Sequence, residues 1–131
     1  MTDKELVMLA VEAQKNSYAP YSSFNVGAAL LCKNGKVFKG CNIENASFSP
    51  TVCAERTAIF KAVSEGEKEF LKIAIAGGKN YSVAGATPPC GVCRQVMREF
   101  CDDGFEILLA KQNGEFEKFT LTELLPLSFK L

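Results

Sequence analysis

Histidine and tryptophan are both missing from the 131 residues of this sequence. Without an imidazole, any scheme built on a histidine base, a His–Cys pair or a histidine metal ligand is excluded. An excess of one charge is missing too, since fifteen basic residues meet fifteen acidic ones for a formal net charge of zero. A protein that grips many phosphates carries a basic footprint, so no nucleic-acid partner is expected. No stretch approaches the ~18 apolar residues of a membrane span. The opening residues Met1-Thr-Asp-Lys-Glu5 also lack the apolar core of a signal peptide. A cytoplasmic protein with no membrane partner is the expectation.

Core-forming residues are plentiful: 47% of the chain is hydrophobic, ten residues are Phe, and 23% charged residues favour solubility. That composition and length suit a single globular domain over residues 1–131. Six cysteines stand at 32, 41, 53, 90, 93 and 101. In a reducing compartment they are candidates for metal binding, redox work or packing, and not for a disulfide scaffold.

Periodicity places the elements. Thr2-x-x-Glu5 reads as a capping box ahead of Leu6, Leu9, Ala10 and Ala13, so an amphipathic helix is expected to about Asn16. Phe24 to Cys32 reads as a strand covered on both faces, and Asn34-Gly35 as a hairpin turn returning an antiparallel strand over Lys36 to Ile43. A helix is expected from Cys53 to Ser64, a strand from Leu71 to Ala76, and a long functional loop from Gly77 to Pro89. Cys90 to Phe100 follows as a helix, with Gly104 suited to the position after its end. Phe105 to Ala110 and Glu115 to Phe119 are strands whose short link, Gln112-Asn113-Gly114, requires an antiparallel pair; a helix at Leu121 to Leu125 closes the chain at Pro126. The expected fold is α/β, with helices on both faces of a mixed sheet.

Chemistry concentrates at two helix starts, Cys53-Ala-Glu55-Arg56 and Pro89-Cys90-Gly-Val-Cys93-Arg94. A helix N-terminus stabilises a thiolate through its free N–H groups and the positive end of its dipole. Cys90 and Cys93 share one helical face, while Cys53 and Glu55 lie about 200° apart around theirs and converge only on something beyond the helix end. A metal ion satisfies both geometries. Three thiolates with no fourth protein ligand match a catalytic zinc whose last position is left to water. A lone C-x-x-C equally suits a thioredoxin-like dithiol, and Cys53 alone equally suits a small buried apolar residue. A non-catalytic zinc module would need a fourth ligand from a strand-interior thiol.

C-x-E at one helix start joined to P-C-x-x-C at another is the three-cysteine form of the zinc nucleobase-deaminase signature. Here the chain resembles the homotetrameric, zinc-dependent, free-nucleoside cytidine deaminases. The resemblance runs through Tyr18-Ala-Pro-Tyr-Ser22, Phe24-Asn-Val-Gly-Ala-Ala29, Gly40-Cys-Asn-Ile-Glu-Asn45, Cys53-Ala-Glu-Arg-Thr57, Pro89-Cys-Gly-Val-Cys-Arg-Gln95 and Glu123-Leu-Leu-Pro126. It implies a three-layer α-β-α sandwich with a five-stranded mixed sheet whose last two strands are antiparallel. It also implies one Zn²⁺ per subunit on Cys53, Cys90 and Cys93, and hydrolysis of cytidine and 2′-deoxycytidine to the uridines and ammonia in pyrimidine salvage. In that scheme water activated on the metal attacks C4 while Glu55 shuttles protons.

The same resemblance implies that Phe24 packs on the pyrimidine, that Asn42 and Glu44 hold the ribose, and that backbone near Ala54 and Thr87 to Pro89 orients the base. Phe129 is implied to enter a neighbouring subunit's site. Arg56 is expected to hydrogen-bond a thiolate and offset the net −1 of three thiolates on Zn²⁺, with Arg94 as a second candidate. Cys32, Cys41 and Cys101 are expected in packing roles. Phe48 departs from the family, which commonly has Tyr there. The Asn42-to-Asn45 and Phe24 blocks favour the nucleoside branch over the related blasticidin deaminases. The Asn113-Gly114 hairpin disfavours polynucleotide deaminases, which carry a helix at that point.

Overall fold

Apolar residues alternating along three adjacent strands set the architecture of the computed structural model, which describes residues 1–131. Strands β1 (Phe24–Cys32), β2 (Val37–Cys41), β3 (Phe70–Lys79), β4 (Glu106–Ala110) and β5 (Phe116–Thr120) form one sheet in the order β2-β1-β3-β4-β5. β3 and β4 are parallel, and the other neighbouring pairs, the last two strands included, are antiparallel. Successive side chains point to opposite faces. Ala28, Leu30, Cys32, Ile73, Ile75, Ile107 and Leu109 therefore join one core, and Ala29, Leu31, Ala74, Ala76, Leu108 and Ala110 the other.

Helix α1 (Asp3–Ala13) covers the second face with Leu6, Val7 and Ala10. Helices α2 (Ala54–Ser64) and α3 (Gly91–Phe100) cover the first with Ala58, Ile59, Ala62, Cys93 and Met97, and the short helix α4 (Leu121–Leu124) adds Leu121. The product is the expected three-layer α-β-α sandwich. Its layers sit close: a Cβ on Gly27 would fall 2.1 Å from the Ala10 carbonyl oxygen in α1, and one on Gly40 would fall 2.5 Å from the Ala58 nitrogen in α2. None of these helices is long and apolar enough to cross a membrane.

Several boundaries differ from expectation. α1 ends at Ala13 and continues as a 3₁₀ turn to Asn16, while β2 stops at Cys41. β3 runs on to Lys79 because the long β1 pairs with it as far as Phe24 opposite Lys79, so the loop begins three residues later than expected. Gly104 is not in the left-handed region, and α3 instead ends by turning extended at Cys101, whose carbonyl accepts from Arg98 Nη2 at 2.5 Å. The glycine that does close a helix is Gly66, with φ 95° just past α2. Thr2 caps α1, accepting from the Glu5 amide at 3.1 Å, but the reciprocal capping box forms at Thr120 and Glu123, where sequence reading had not placed one.

This topology places the site. β2 and β3 both run antiparallel to β1, hence parallel to each other, and the helix after each lies on the same face. The N-termini of α2 and α3 thus come side by side at the carboxyl ends of parallel strands, the usual position for a ligand in an α/β sheet.

Candidate metal centre and active site

Cys53 is the N-cap residue of α2 and Cys90 that of α3, where the Cys90 sulfur accepts from the Cys93 amide at 3.4 Å. Their Sγ atoms are 3.7 Å apart, and Cys93, one turn into α3 and fully buried, completes a triangle whose corners all lie within 4.8 Å of one another. A tetrahedral zinc with Zn–S bonds of ~2.3 Å needs sulfurs roughly 3.8 Å apart. The three thiols fit such an ion and leave its fourth direction free. A dithiol reading of Cys90 and Cys93 leaves out Cys53, which stands at the same point.

Electrostatics support anionic sulfur. The Cys53 thiol is lowered to about 5, mainly by its hydrogen bond with Cys93, against the opposing effect of burial and with help from Arg56. Arg56 Nη2 donates to Cys53 Sγ at 3.4 Å, as expected of a guanidinium offsetting thiolate charge. Cys93 is raised by that same hydrogen bond and by burial. Arg94 plays no such part. Its Nε donates to the Pro89 carbonyl at 2.8 Å and its Nη1 to that of Leu124 at 2.6 Å, tying the start of α3 to α4.

Glu55, only 3% exposed, lies beside the triangle. Burial raises its carboxyl to about 7, with the charge on Cys53 adding to the effect. A buried carboxyl poised near neutrality is suited to moving protons in both directions. It opens on a cavity of about 350 Å³ bounded by Phe24 and Val26 of β1, Asn42, Glu44, Thr51 and Val52 of the connection to α2, Cys53 to Glu55, and Thr87, Pro88 and Cys90. That volume lies in the ~300–1,000 Å³ range of small-molecule sites.

Expected site residues are largely brought together. Phe24, Asn42, Glu44 and Ala54 all line this cavity with Cys53, Glu55 and Cys90. Asn42 accepts at Oδ1 from the Val26 amide at 2.9 Å and from the Ser17 hydroxyl at 2.6 Å, and donates from Nδ2 to the Phe24 carbonyl at 2.8 Å. Glu44 Oε1 accepts from the Tyr21 and Ser22 amides at 3.0 and 3.1 Å and Oε2 from the Ser22 hydroxyl at 2.5 Å, which holds its carboxyl below the usual range. Phe129 is 67% exposed and away from this chain's cavity; its carbonyl accepts from Gln95 Nε2 at 3.3 Å. Cys32 and Cys101 pack in the core, and burial pushes the Cys101 thiol up to about 12. Phe48 is 85% exposed.

Sequence reading missed Ser22, Val26, Thr51 and Val52 as cavity walls, although the period of two puts Val26 on the same face of β1 as Phe24. It also missed Ser17 and Asn25. The signal there was a polar residue inside the otherwise apolar or small β1, since a buried amide must find partners.

Residues 1–108 match the model of the cytidine and deoxycytidylate deaminase zinc-binding region. Over 129 residues the chain is 46% identical to a cytidine deaminase of Halalkalibacterium halodurans, covering 98% of this chain and 95% of that protein. A cytidine deaminase of Sporosarcina psychrophila is 43% identical over the same length, covering 98% and 92%. The crystal structure of cytidine deaminase from Burkholderia pseudomallei superimposes with a TM-score of 0.90 at 44% identity, over 98% of this chain and all of that one. By family model, identity and fold, the chain belongs to the zinc-dependent cytidine deaminase family.

Proposed function

We propose that this chain is a hydrolytic deaminase of cytidine and 2′-deoxycytidine, releasing ammonia and the corresponding uridine. The observation that carries the reading is Glu55, a buried carboxyl held near neutrality beside a triangle of thiols at the wall of a nucleoside-sized cavity. Zinc is the cofactor, with Cys53, Cys90 and Cys93 as its ligands, and when bound it supplies the Lewis acidity that makes water a nucleophile near neutral pH.

The chain's own groups do the rest. Glu55 takes one proton from the water that adds to C4 and hands it to ring N3, then takes the second from the new C4 hydroxyl and gives it to the amine, which leaves as ammonia when the C–N bond breaks. Phe24 packs against the pyrimidine, and the amide that begins α2 at Ala54 orients the base. Asn42 and Glu44 hold the ribose, while Arg56 draws electron density from Cys53 and offsets the excess negative charge of three thiolates. Phe129 belongs to a neighbour's site in a homotetramer, a reading supported by its exposure together with that of Tyr21, Phe48, Val92, Leu127 and Leu131. A single domain working in the cytoplasm is consistent with thiols that must stay reduced to hold metal.

An ultraviolet assay over a panel of nucleosides, run with metal analysis, tests the reading. Cytidine and 2′-deoxycytidine are expected to react with one zinc bound per chain. Cytidine 3′-monophosphate is expected to fail, because the Glu44 carboxylate repels a phosphate placed against it. Comparable turnover of a cytosine within single-stranded DNA would overturn the free-nucleoside assignment.

A further inference from the structure

Asn42 faces the cavity, yet most of its hydrogen-bonding capacity is spent inside the protein. We propose that Ser17 and Asn25 are positioning residues that fix the orientation of the Asn42 amide, so that the cavity presents a sugar hydroxyl with an N–H donor there. The proposal rests on the reading of Asn42 as a ribose contact.

Direction can be traced along the whole chain of bonds. The Tyr81 amide is a donor only, so the atom of Asn25 it meets at 3.0 Å is the carbonyl oxygen, and Asn25 Nδ2 is left to donate to Ser17 Oγ at 3.1 Å. With its oxygen accepting from Asn25, Ser17 turns its own hydrogen to Asn42 Oδ1 at 2.6 Å. The Val26 amide imposes the same orientation from the other side. Asn42 Oδ1 thus accepts twice, one Nδ2 hydrogen goes to the Phe24 carbonyl, and the second is what remains for a ligand. Two fixed backbone donors therefore bracket a one-way relay.

The relay is a built feature. Ser17 and Asn25 are 8% and 5% exposed, and the main-chain carbonyl of Asn25 accepts in turn from Gln14 Nε2 at 3.0 Å. Gln14, 1% exposed, also donates to the Ser82 carbonyl at 2.9 Å and so anchors the loop that supplies Tyr81. Asn80 and Tyr81 both sit at positive φ, 53° and 62°, a conformation unusual for a bulky residue and retained where surrounding bonds over-determine it. No group in this relay ionises in the working range, so its effect is on binding geometry and not on proton transfer.

Four single variants and one pair test it by steady-state kinetics on cytidine with zinc content and unfolding midpoint measured in parallel. Ser17→Ala removes the relay's last donor. Asn25→Asp keeps the shape and still accepts from Tyr81, but its second oxygen draws the Ser17 hydrogen away from Asn42. Each is expected to raise KM roughly three- to tenfold, with kcat within about twofold and zinc unchanged, and Ser17→Thr should restore KM. Asn42→Ala should raise KM at least as far, and adding Ser17→Ala to it should change KM no further, since both act through one group. With 3′-deoxycytidine the parent and relay variants should have equal KM. Additive effects in the double variant, or an unaltered KM in both single relay variants while Asn42→Ala raises it, would overturn the relay. An unaltered KM in Asn42→Ala itself overturns the ribose assignment, and the relay with it.

Discussion

A carboxyl and a thiol separated by one residue are asked for opposite behaviour at the start of α2. Cys53 ionises readily, at about 5, whereas Glu55 is held to about 7 by burial and by that same charge. Glu55→Gln preserves the shape of the side chain but abolishes proton transfer. Turnover is expected to fall by the ~10²–10⁴ typical of lost acid–base catalysis while zinc content stays whole; loss of metal in this variant would make Glu55 a ligand instead. The cysteines separate differently. Ala at 53, 90 or 93 should remove metal and activity together, and Ala at 32, 41 or 101 should leave metal in place, with a stability cost of about 1–3 kcal/mol at the buried positions 32 and 101. Full metal content in Cys53→Ala would remove it from the ligand set. The two cysteine motifs and Glu55 were legible in the sequence because each chemistry-bearing residue sits at a fixed offset from a helix start. Ser17 and Asn25 were not, because their function is a hydrogen bond across the chain, and sequence spacing carries no information about which distant amide a buried amide meets.

Elements were legible to the extent that their signals are local. The Asn34-Gly35 and Asn113-Gly114 turns appear where expected, with Gly35, Asn113 and Gly114 all at positive φ, and alternation in β1, β3 and β4 separates the two cores. Boundaries set by a partner were not legible: β3 gains Gly77 to Lys79 only because β1 is long enough to pair with them. The end of α3 is likewise closed by the Arg98 side chain and not by the nearby glycine. Nor does sequence show how tightly layers pack. Gly27 is the sharpest case, since any Cβ there meets the α1 backbone at 2.1 Å and backbone cannot rotate aside. Gly27→Ala is expected to destabilise the chain by about 2–3 kcal/mol, the upper range for overpacking, lowering Tm by roughly 10 °C in calorimetry. Gly35→Ala has open space around its Cβ, and its cost is confined to the strained φ of 93°. It should lower Tm by much less, and equal losses at the two glycines would show that backbone conformation, not helix–sheet distance, governs Gly27.

Taken whole, the molecule combines a charge cluster that ties α1 to the sheet with an exposed apolar segment after α4. Asp3 at the start of α1 bonds Lys72 of β3 at 2.7 Å and Lys118 of β5 at 2.8 Å, and Glu106 of β4 lies 3.2 Å from Lys72. Lys118, then Lys72, hold the Asp3 carboxyl below its usual 3.8. A depressed carboxyl contributes stability that is fully present above its unfolded pKa and is lost as pH falls through the folded one. Asp3→Asn should therefore lower Tm by about 2–4 °C at pH 7, with the gap from the parent closing as pH falls below the ordinary carboxylate range; a gap that persists in strong acid would assign the effect to packing. Opposite in character is the tail after α4, where Leu127, Phe129 and Leu131 are exposed at 104%, 67% and 112%. Apolar surface of this kind is expected of a face that another chain covers. In closed symmetry a tail that leaves its own subunit must enter an equivalent one, so each site would be completed by a neighbour. Light scattering at assay concentration should then give a tetramer, and Phe129→Ala should raise KM for cytidine with zinc unchanged. Dilution supplies the deciding measurement: if a neighbour's Phe129 completes the site, specific activity must fall together with the tetramer fraction, and a fully active monomer would show the cavity to be complete within one chain.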